Sequence, residues 1–78
     1  MAARNVFHVT HLQPFKDWCQ DNHVEYRPGR DPHGRQVLQV KIGAAWQCIY
    51  HSNGDKEHYS VVEPLMPVIR RFLKDYHS

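Results

Sequence analysis

The chain has 78 residues, 41% of them hydrophobic, and ten Lys and Arg residues against eight Asp and Glu give a formal net charge of +2. This length suits a single domain spanning residues 1–78, and the composition is too rich in apolar and aromatic residues for a disordered tail. With no run of about 18 apolar residues and no apolar N-terminal stretch, we expect no membrane partner, no secretory signal and a cytoplasmic location.

The first helix is predicted from a six-residue motif that occurs twice in the chain. Residues 10–15 (THLQPF) and 60–65 (SVVEPL) both read hydroxyl, two residues, Glu or Gln, Pro, large apolar. The hydroxyl can cap a helix by accepting from the N–H three residues on, and proline costs little in a first turn. Residues 1–9 then form a lead-in or a short edge strand, and the first helix runs over about 11–22.

Alternating apolar and polar residues predict the strands that follow. A short strand at 24–26 leads into a loop at 27–35, where two prolines and two glycines favour turns. The clearest strand is 36–42, followed by a tight turn at 43–45 and a strand at 46–51. The dipeptide Asn53-Gly54 favours a hairpin turn, after which 56–59 can pair back.

The second helix is predicted to start after Ser60 and to run to about Tyr76. Pro67 would kink it there, unless the helix begins near Pro64 or Met66. The order predicts an α+β fold, α-β-β-β(-β)-α, with a small antiparallel sheet and both helices on one face.

This pattern also predicts which side chains are buried. The expected core consists of apolar residues on the two helices and on one sheet face: Leu12, Phe15, Trp18, Leu38, Val40, Ile42, Trp46, Cys48, Leu65, Ile69, Phe72 and Leu73. The opposite sheet face would expose Gln39, Lys41, Gln47, Ile49 and His51.

Metal and catalytic chemistry find little support in the sequence. A zinc site could be formed by Cys19, His23, Cys48 and His51. However, Cys48 and His51 are three residues apart on a strand, so their side chains should point to opposite faces. We therefore expect two free thiols and no metal, and a Cys19–Cys48 disulfide remains an alternative. The seven histidines lie in no recognised catalytic motif, and a chain this short struggles to enclose a pocket of about 300 Å³. We therefore expect no enzyme and no cofactor.

In length and element order the chain resembles a double-stranded-RNA-binding domain. That family opens its second helix with a Lys-rich, phosphate-gripping cluster, whereas residues 60–64 (SVVEP) here hold no lysine and one acid. The resemblance implies nucleic-acid binding as one alternative, through the Arg and Lys residues of the 27–35 loop and of the second helix.

Binding of a protein partner is the favoured interpretation, because exposed Tyr, Trp and Arg side chains commonly anchor interfaces. The candidate partner-binding residues are Tyr26, Arg27, Arg30, Arg35, Lys41, His51, Arg70, Arg71 and Lys74. In size the whole chain also resembles the compact accessory proteins of bacteriophages, many of which block a host enzyme or a defence complex. That resemblance implies an inhibitor and transfers no site residues.

Overall fold

Five antiparallel strands form one sheet with the order β1-β5-β4-β3-β2, accompanied by two α-helices. The structure, a computed structural model, describes residues 6–51 and 58–77. Its elements are β1 (Val6–His8), a 3-10 turn (Val9–His11), α1 (Leu12–Asp21), β2 (Tyr26–Arg30), β3 (Gln36–Ile42), β4 (Ala45–His51), β5 (His58–Val61), a 3-10 turn (Glu63–Leu65) and α2 (Met66–His77). The predicted α+β class is confirmed. The predicted Asn53-Gly54 turn lies outside the described residues.

The helices do not start where the repeated motif predicts. Thr10 lies inside the first 3-10 turn, and no side chain caps α1. Ser60 belongs to β5, where it pairs with Tyr50. Each helix instead follows a strand through a 3-10 turn, so the capping prediction is wrong. The alternative start of the second helix is correct: α2 begins at Met66, which places Pro67 in the first turn, where its missing N–H costs nothing.

The predicted end of α1 near Asn22 and His23 is confirmed. His23 has a φ of 58°, its N–H bonds to the Gln20 carbonyl at 3.3 Å, and the Val24 N–H bonds to the Cys19 carbonyl at 2.8 Å. These two bonds satisfy carbonyls of the last turn and form a Schellman motif with a non-glycine residue in the left-handed position.

β2 runs through residues that the sequence assigned to the 27–35 loop. Pro28 pairs with Leu38 in this edge strand. The Lys41 N–H bonds to the Glu25 carbonyl, and the Asp31 N–H bonds to the Arg35 carbonyl, both at 2.9 Å. Because ladder bonds alternate along an antiparallel strand, Pro28 lies at a position whose N–H would point away from β3. The proline therefore interrupts no bond of the sheet.

A two-residue turn decides which face of β4 is buried. Ile42 pairs directly with Ala45, and Gly43, with a φ of 62°, occupies the first central position of the turn, as in a type II′ hairpin. Ile42 and Ala45 therefore share a face with Ile49. The sequence prediction, with a three-residue turn, placed β4 one residue out of register, which inverts every side chain of the strand.

One buried cluster joins both helices to the sheet. It contains Phe7, Phe15, Trp18, Cys19, Leu38, Val40, Ile49, Val61, Leu65, Ile69 and Phe72. Leu12, Ile42 and Leu73 are partly buried and pack against it, in agreement with the prediction. Trp46 and Cys48 are absent from it, and the prediction that they are core residues is wrong. Ile49, which was predicted to be exposed, is fully buried.

Candidate functional site on the open face of the sheet

The sheet has a second face, opposite the buried cluster, which we call the open face. Strand register assigns to it Val6, His8, Arg27, Gly29, Val37, Gln39, Lys41, Trp46, Cys48, Tyr50, His58 and Ser60. The buried side chains of both helices belong to the cluster on the other side. Aromatic and cationic side chains of the sheet therefore lie outside the main core.

Arg27 and Trp46 form the centre of this face. The Arg27 guanidinium lies 4.0 Å from the centroid of the Trp46 ring, reaching from β2 across β3 to β4. Its Nε donates to Gln39 Oε1 at 2.7 Å, which fixes the direction of the side chain. A guanidinium held over an indole face is stabilised by the ring quadrupole, worth about 0.5–1 kcal/mol at exposed sites. The pair is thus preorganised as one flat cationic and aromatic surface.

Gly29 makes room for Gln39 beneath this pair. A Cβ at position 29 would lie 2.7 Å from the Gln39 side-chain carbon Cδ. The other end of the same amide donates from Nε2 to Cys48 Sγ at 3.7 Å. Gln39 therefore links the guanidinium on one side to the thiol on the other.

Tyr50 continues the surface beyond Cys48. Its side chain is 38% exposed, and in the part of the chain that the structure describes only Val6 and Tyr76 are comparably exposed large apolar side chains. Charge on the Cys48 thiolate, a hydrogen bond with it and partial burial raise the pKa of the Tyr50 hydroxyl. The phenol therefore stays neutral and able to donate a hydrogen bond at physiological pH.

One ion pair lies at the rim of the open face. Lys41 Nζ is 3.5 Å from Glu25 Oε2, and the Glu25 side chain is 68% exposed. Such solvent-exposed pairs contribute only about 0–1 kcal/mol. Lys41 is therefore readily available to a carboxylate brought by a partner.

The other predicted partner-binding residues lie elsewhere. Tyr26 packs against the core, and its hydroxyl accepts from Gln20 Nε2 at 3.0 Å. Arg35 pairs with Asp31 at 3.1 Å within the β2–β3 loop. Arg30 donates to the Gly34 carbonyl at 2.9 Å in the same loop.

Three further candidates, Arg70, Arg71 and Lys74, lie exposed on α2. Arg71 approaches the Trp18 ring at 5.8 Å, on the helical side of the molecule. The His51 side chain lies outside what the structure describes. Of the nine predicted residues, the open face thus unites Arg27 and Lys41, and it adds Trp46 and Tyr50, which the prediction had not counted as site residues.

The two cysteines lie on opposite sides of the sheet. Cys19 is fully buried in the core, and burial raises the pKa of its thiol to about 12. Cys48 is half-buried on the open face, and both thiols are free. This separation leaves the possible Cys19, His23, Cys48 and His51 set incomplete. Within residues 6–51 and 58–77, no three His, Cys, Asp or Glu side chains are arranged to hold a metal ion.

Four histidines meet where β1, β5, α1 and α2 come together. The ring centroids of His8 and His58 are 4.1 Å apart, and His11 lies 5.9 Å from His8 and 6.2 Å from His77. Partial burial, followed by the charges of His8 and His77, lowers the pKa of His11. The folded protein therefore favours the neutral form of His11, which makes this corner of the fold sensitive to acid.

The described residues form two surface clefts, both open to solvent. A cleft of about 410 Å³ opens between α1 and the β2–β3 end of the sheet. A second cleft, of about 300 Å³, lies between the two helices and is lined by Asp17, Asp21 and Asp75 among others. Gly29 and Val37, which register assigns to the open face, also line the first cleft.

Comparison with known proteins identifies no relative, so a functional argument depends on the surface of the molecule. No protein-family model, no curated protein and no solved structure matches this chain. Among the described helices, none has the length and apolar character needed to cross a membrane.

Proposed function

We propose that this protein is a non-catalytic cytoplasmic binding protein whose open face contacts another protein. The observation that carries the proposal is the Arg27 guanidinium stacked on Trp46 beside an exposed Tyr50. Trp, Tyr and Arg are the side chains that most often dominate binding energy at protein interfaces. Two free cysteines suit a reducing compartment. That binding blocks the partner is the part of the proposal that rests on the resemblance to phage accessory proteins.

The contacts that join side chains within the open face favour an interface. Arg27, Gln39 and Trp46 lie on three neighbouring strands and are joined by a hydrogen bond and a ring contact. Side chains already held in place lose little conformational entropy when a partner arrives. A partner surface that presents a carboxylate to Arg27 and Lys41, and an apolar or aromatic group to Trp46, would complement this face.

The distribution of positive charge favours protein over nucleic acid. A nucleic-acid footprint needs several cations along one surface to neutralise successive phosphates. The candidate cations are instead divided among the open face, the β2–β3 loop and α2, and two of them, Lys41 and Arg35, already pair with carboxylates. The alternative of a nucleic-acid-binding module therefore takes second place, supported by the base-stacking capacity of Trp46 and Tyr50.

Affinity capture with matched variants tests the proposal. Tagged wild-type protein, a Trp46→Ala/Tyr50→Ala variant and an Arg70→Ser/Lys74→Ser control would be incubated with extract of the native host. We expect one partner to be retained by wild type and control at similar levels and lost from the open-face variant. Titration of the purified partner should then give an affinity at least about tenfold weaker for the open-face variant, since each hot spot contributes about 2 kcal/mol or more. Equal loss in the control would contradict the proposal.

Salt dependence separates the two kinds of partner. Filter binding of wild type to duplex and single-stranded DNA and RNA would be measured at about 50 and 200 mM salt. Retention that falls steeply over this range, with a log–log slope near −0.9 per phosphate contacted, would favour the nucleic-acid alternative. A protein interface anchored by Trp46 and Tyr50 should weaken far less over the same range.

A further inference from the structure

The cleft between α1 and the β2–β3 end of the sheet has the composition of a ligand site. Its volume of about 410 Å³ falls within the range of about 300–1,000 Å³ that small-molecule pockets occupy. Its lining consists of Leu12, Lys16, Pro28, Gly29, Arg30, Gln36, Val37, Leu38 and Tyr59. Seven of the nine lining residues belong to α1 or to the helical face of the sheet, whereas Gly29 and Val37 belong by register to the open face.

The cleft combines apolar and cationic side chains. Leu12 packs against the core from α1, and Leu38 is buried on β3. Lys16, one turn after Leu12, and Arg30, at the end of β2, contribute positive charge from two different elements. Among residues 6–51 and 58–77, none that lines the cleft carries a carboxylate. A ligand with an apolar body and an anionic head would match both features.

The β2–β3 loop holds Arg30 in a defined place at this cleft. Its Nη1 donates to the Gly34 carbonyl at 2.9 Å, and its other N–H groups make no hydrogen bond with residues 6–51 or 58–77. The adjacent carboxylate, Asp31, accepts from the backbone N–H groups of His33 and Arg35 at 3.0 and 2.7 Å, and it also pairs with the Arg35 side chain. Asp31 is thus directed to Arg35 rather than to Arg30.

We infer that this cleft binds a small amphiphilic anion, a carboxylate or phosphate monoester attached to a short aliphatic chain. Lys16 and Arg30 contact the anionic head, while Leu12, Pro28 and Leu38 contact the chain. Arg30 was predicted from the sequence to contact a macromolecular partner, and the inference gives it a small-molecule ligand instead. It does not depend on the function proposed for the open face.

Titration with three matched probes tests the inference. Hexanoate, hexyl phosphate and the uncharged 1-hexanol would be added to ¹⁵N-labelled wild-type protein, with amide shifts recorded. We expect saturable shifts at Leu12, Lys16 and Leu38 for at least one of the two anions, with a Kd at or below about 1 mM. The alcohol should bind at least about tenfold more weakly, because it forms no charge-assisted hydrogen bond. Comparison of the two anions identifies the preferred head group.

Two variants localise the binding. Lys16→Gln/Arg30→Gln should weaken the anion at least about tenfold and leave 1-hexanol unchanged, whereas Arg70→Gln/Lys74→Gln on α2 should bind as wild type does. Binding of 1-hexanol as tight as that of the better anion, or the absence of saturable shifts at the cleft, would overturn the inference in the wild-type protein itself. Equal weakening in both variants would also overturn it, because the anion would then respond to overall charge.

Discussion

Trp18 of α1 donates its indole N–H to the Asp75 carboxylate of α2 at 2.7 Å. The indole is nearly buried and packs against Phe72, with ring centroids 6.0 Å apart. The two helices are therefore joined by a polar bond as well as by apolar packing. A hydrogen bond to a charged group commonly contributes about 1.5–3 kcal/mol, and partial exposure lowers this value.

A double-mutant cycle measures this bond. We expect Trp18→Phe and Asp75→Ala to show a coupling free energy of about 1 kcal/mol in urea unfolding, because each change removes the same interaction. Asp21→Ala, in the same inter-helical cleft, serves as the control for removing one carboxylate. Coupling near zero would mean that the bond does not contribute to stability.

Substitutions in β4 test which of its faces is buried. Ile49→Ala should lower the free energy of unfolding by about 2–5 kcal/mol, and the milder Ile49→Val by about 0.5–1.5 kcal/mol, because Ile49 is fully buried. Trp46→Ala should cost about 1 kcal/mol, since it removes mainly the contact with Arg27. Urea midpoints compared at equal m-values decide the order. A larger loss for Trp46→Ala than for Ile49→Ala would contradict the register described above.

The left-handed residue at the end of α1 offers a stabilising substitution. His23→Gly should raise the free energy of unfolding by about 0.5–1 kcal/mol, because a φ of 58° is strained for a residue with a Cβ. The gain is smaller than the full strain, since glycine also adds freedom to the unfolded chain. His33→Gly, in an exposed loop without a positive φ, should not stabilise. Thermal melts of both variants provide the comparison.

Stability should fall as the pH decreases through the range in which His11 would protonate. The lowered pKa of His11 means that the unfolded chain, with an ordinary value near 6.5, binds the proton more readily than the folded chain. Stability is therefore complete above about pH 6.5 and decreases below it, until the lowered pKa is passed. His8 and His77, whose charges oppose protonation of His11, face it from β1 and α2.

Unfolding free energies between about pH 7.5 and 5 measure this effect. His11→Gln should flatten the decrease, and His33→Gln, in the exposed β2–β3 loop, should leave it unchanged. A wild-type protein that becomes more stable on acidification would show that the histidine cluster acts in the opposite sense.

Thiol alkylation distinguishes the two sides of the sheet. Under native conditions iodoacetamide should modify Cys48 and spare Cys19, because only the thiolate reacts and burial raises the pKa of Cys19 to about 12. Mass spectrometry of the digested protein locates the label. Unfolding in urea should make both thiols reactive, which provides the internal control. Faster native labelling of Cys19 would contradict its place in the core.

Strong periodicity made parts of this fold predictable from sequence. Leu38, Val40 and Ile42 alternate with polar residues, and β3 spans the predicted 36–42. Phe15, Trp18, Ile69 and Phe72 recur at helical spacing and are buried as expected. These patterns are reliable because each apolar face can be removed from water only by packing against the other apolar faces.

The open face could not be predicted, because the side chains on it depend on whether the turn between β3 and β4 has two residues or three. Either face of β4 offers apolar side chains, Trp46 and Cys48 on one and Ile49 on the other. The available signal was Gly43, whose position favours a two-residue turn and thereby places Ile49 inside. The start of α2 after β5 could not be predicted either. The local sequence around Ser60 suits a helix cap, but Ser60 pairs with Tyr50 in the sheet instead.

Pro28 has a consequence for how separate copies of this chain behave at high concentration. A strand from a second molecule that paired with the outer side of β2 would need a backbone N–H donor at the middle of that edge, and Pro28 has none. Replacing Pro28 with valine would restore that donor without disturbing β3, and it should therefore favour edge-to-edge pairing between copies of the chain.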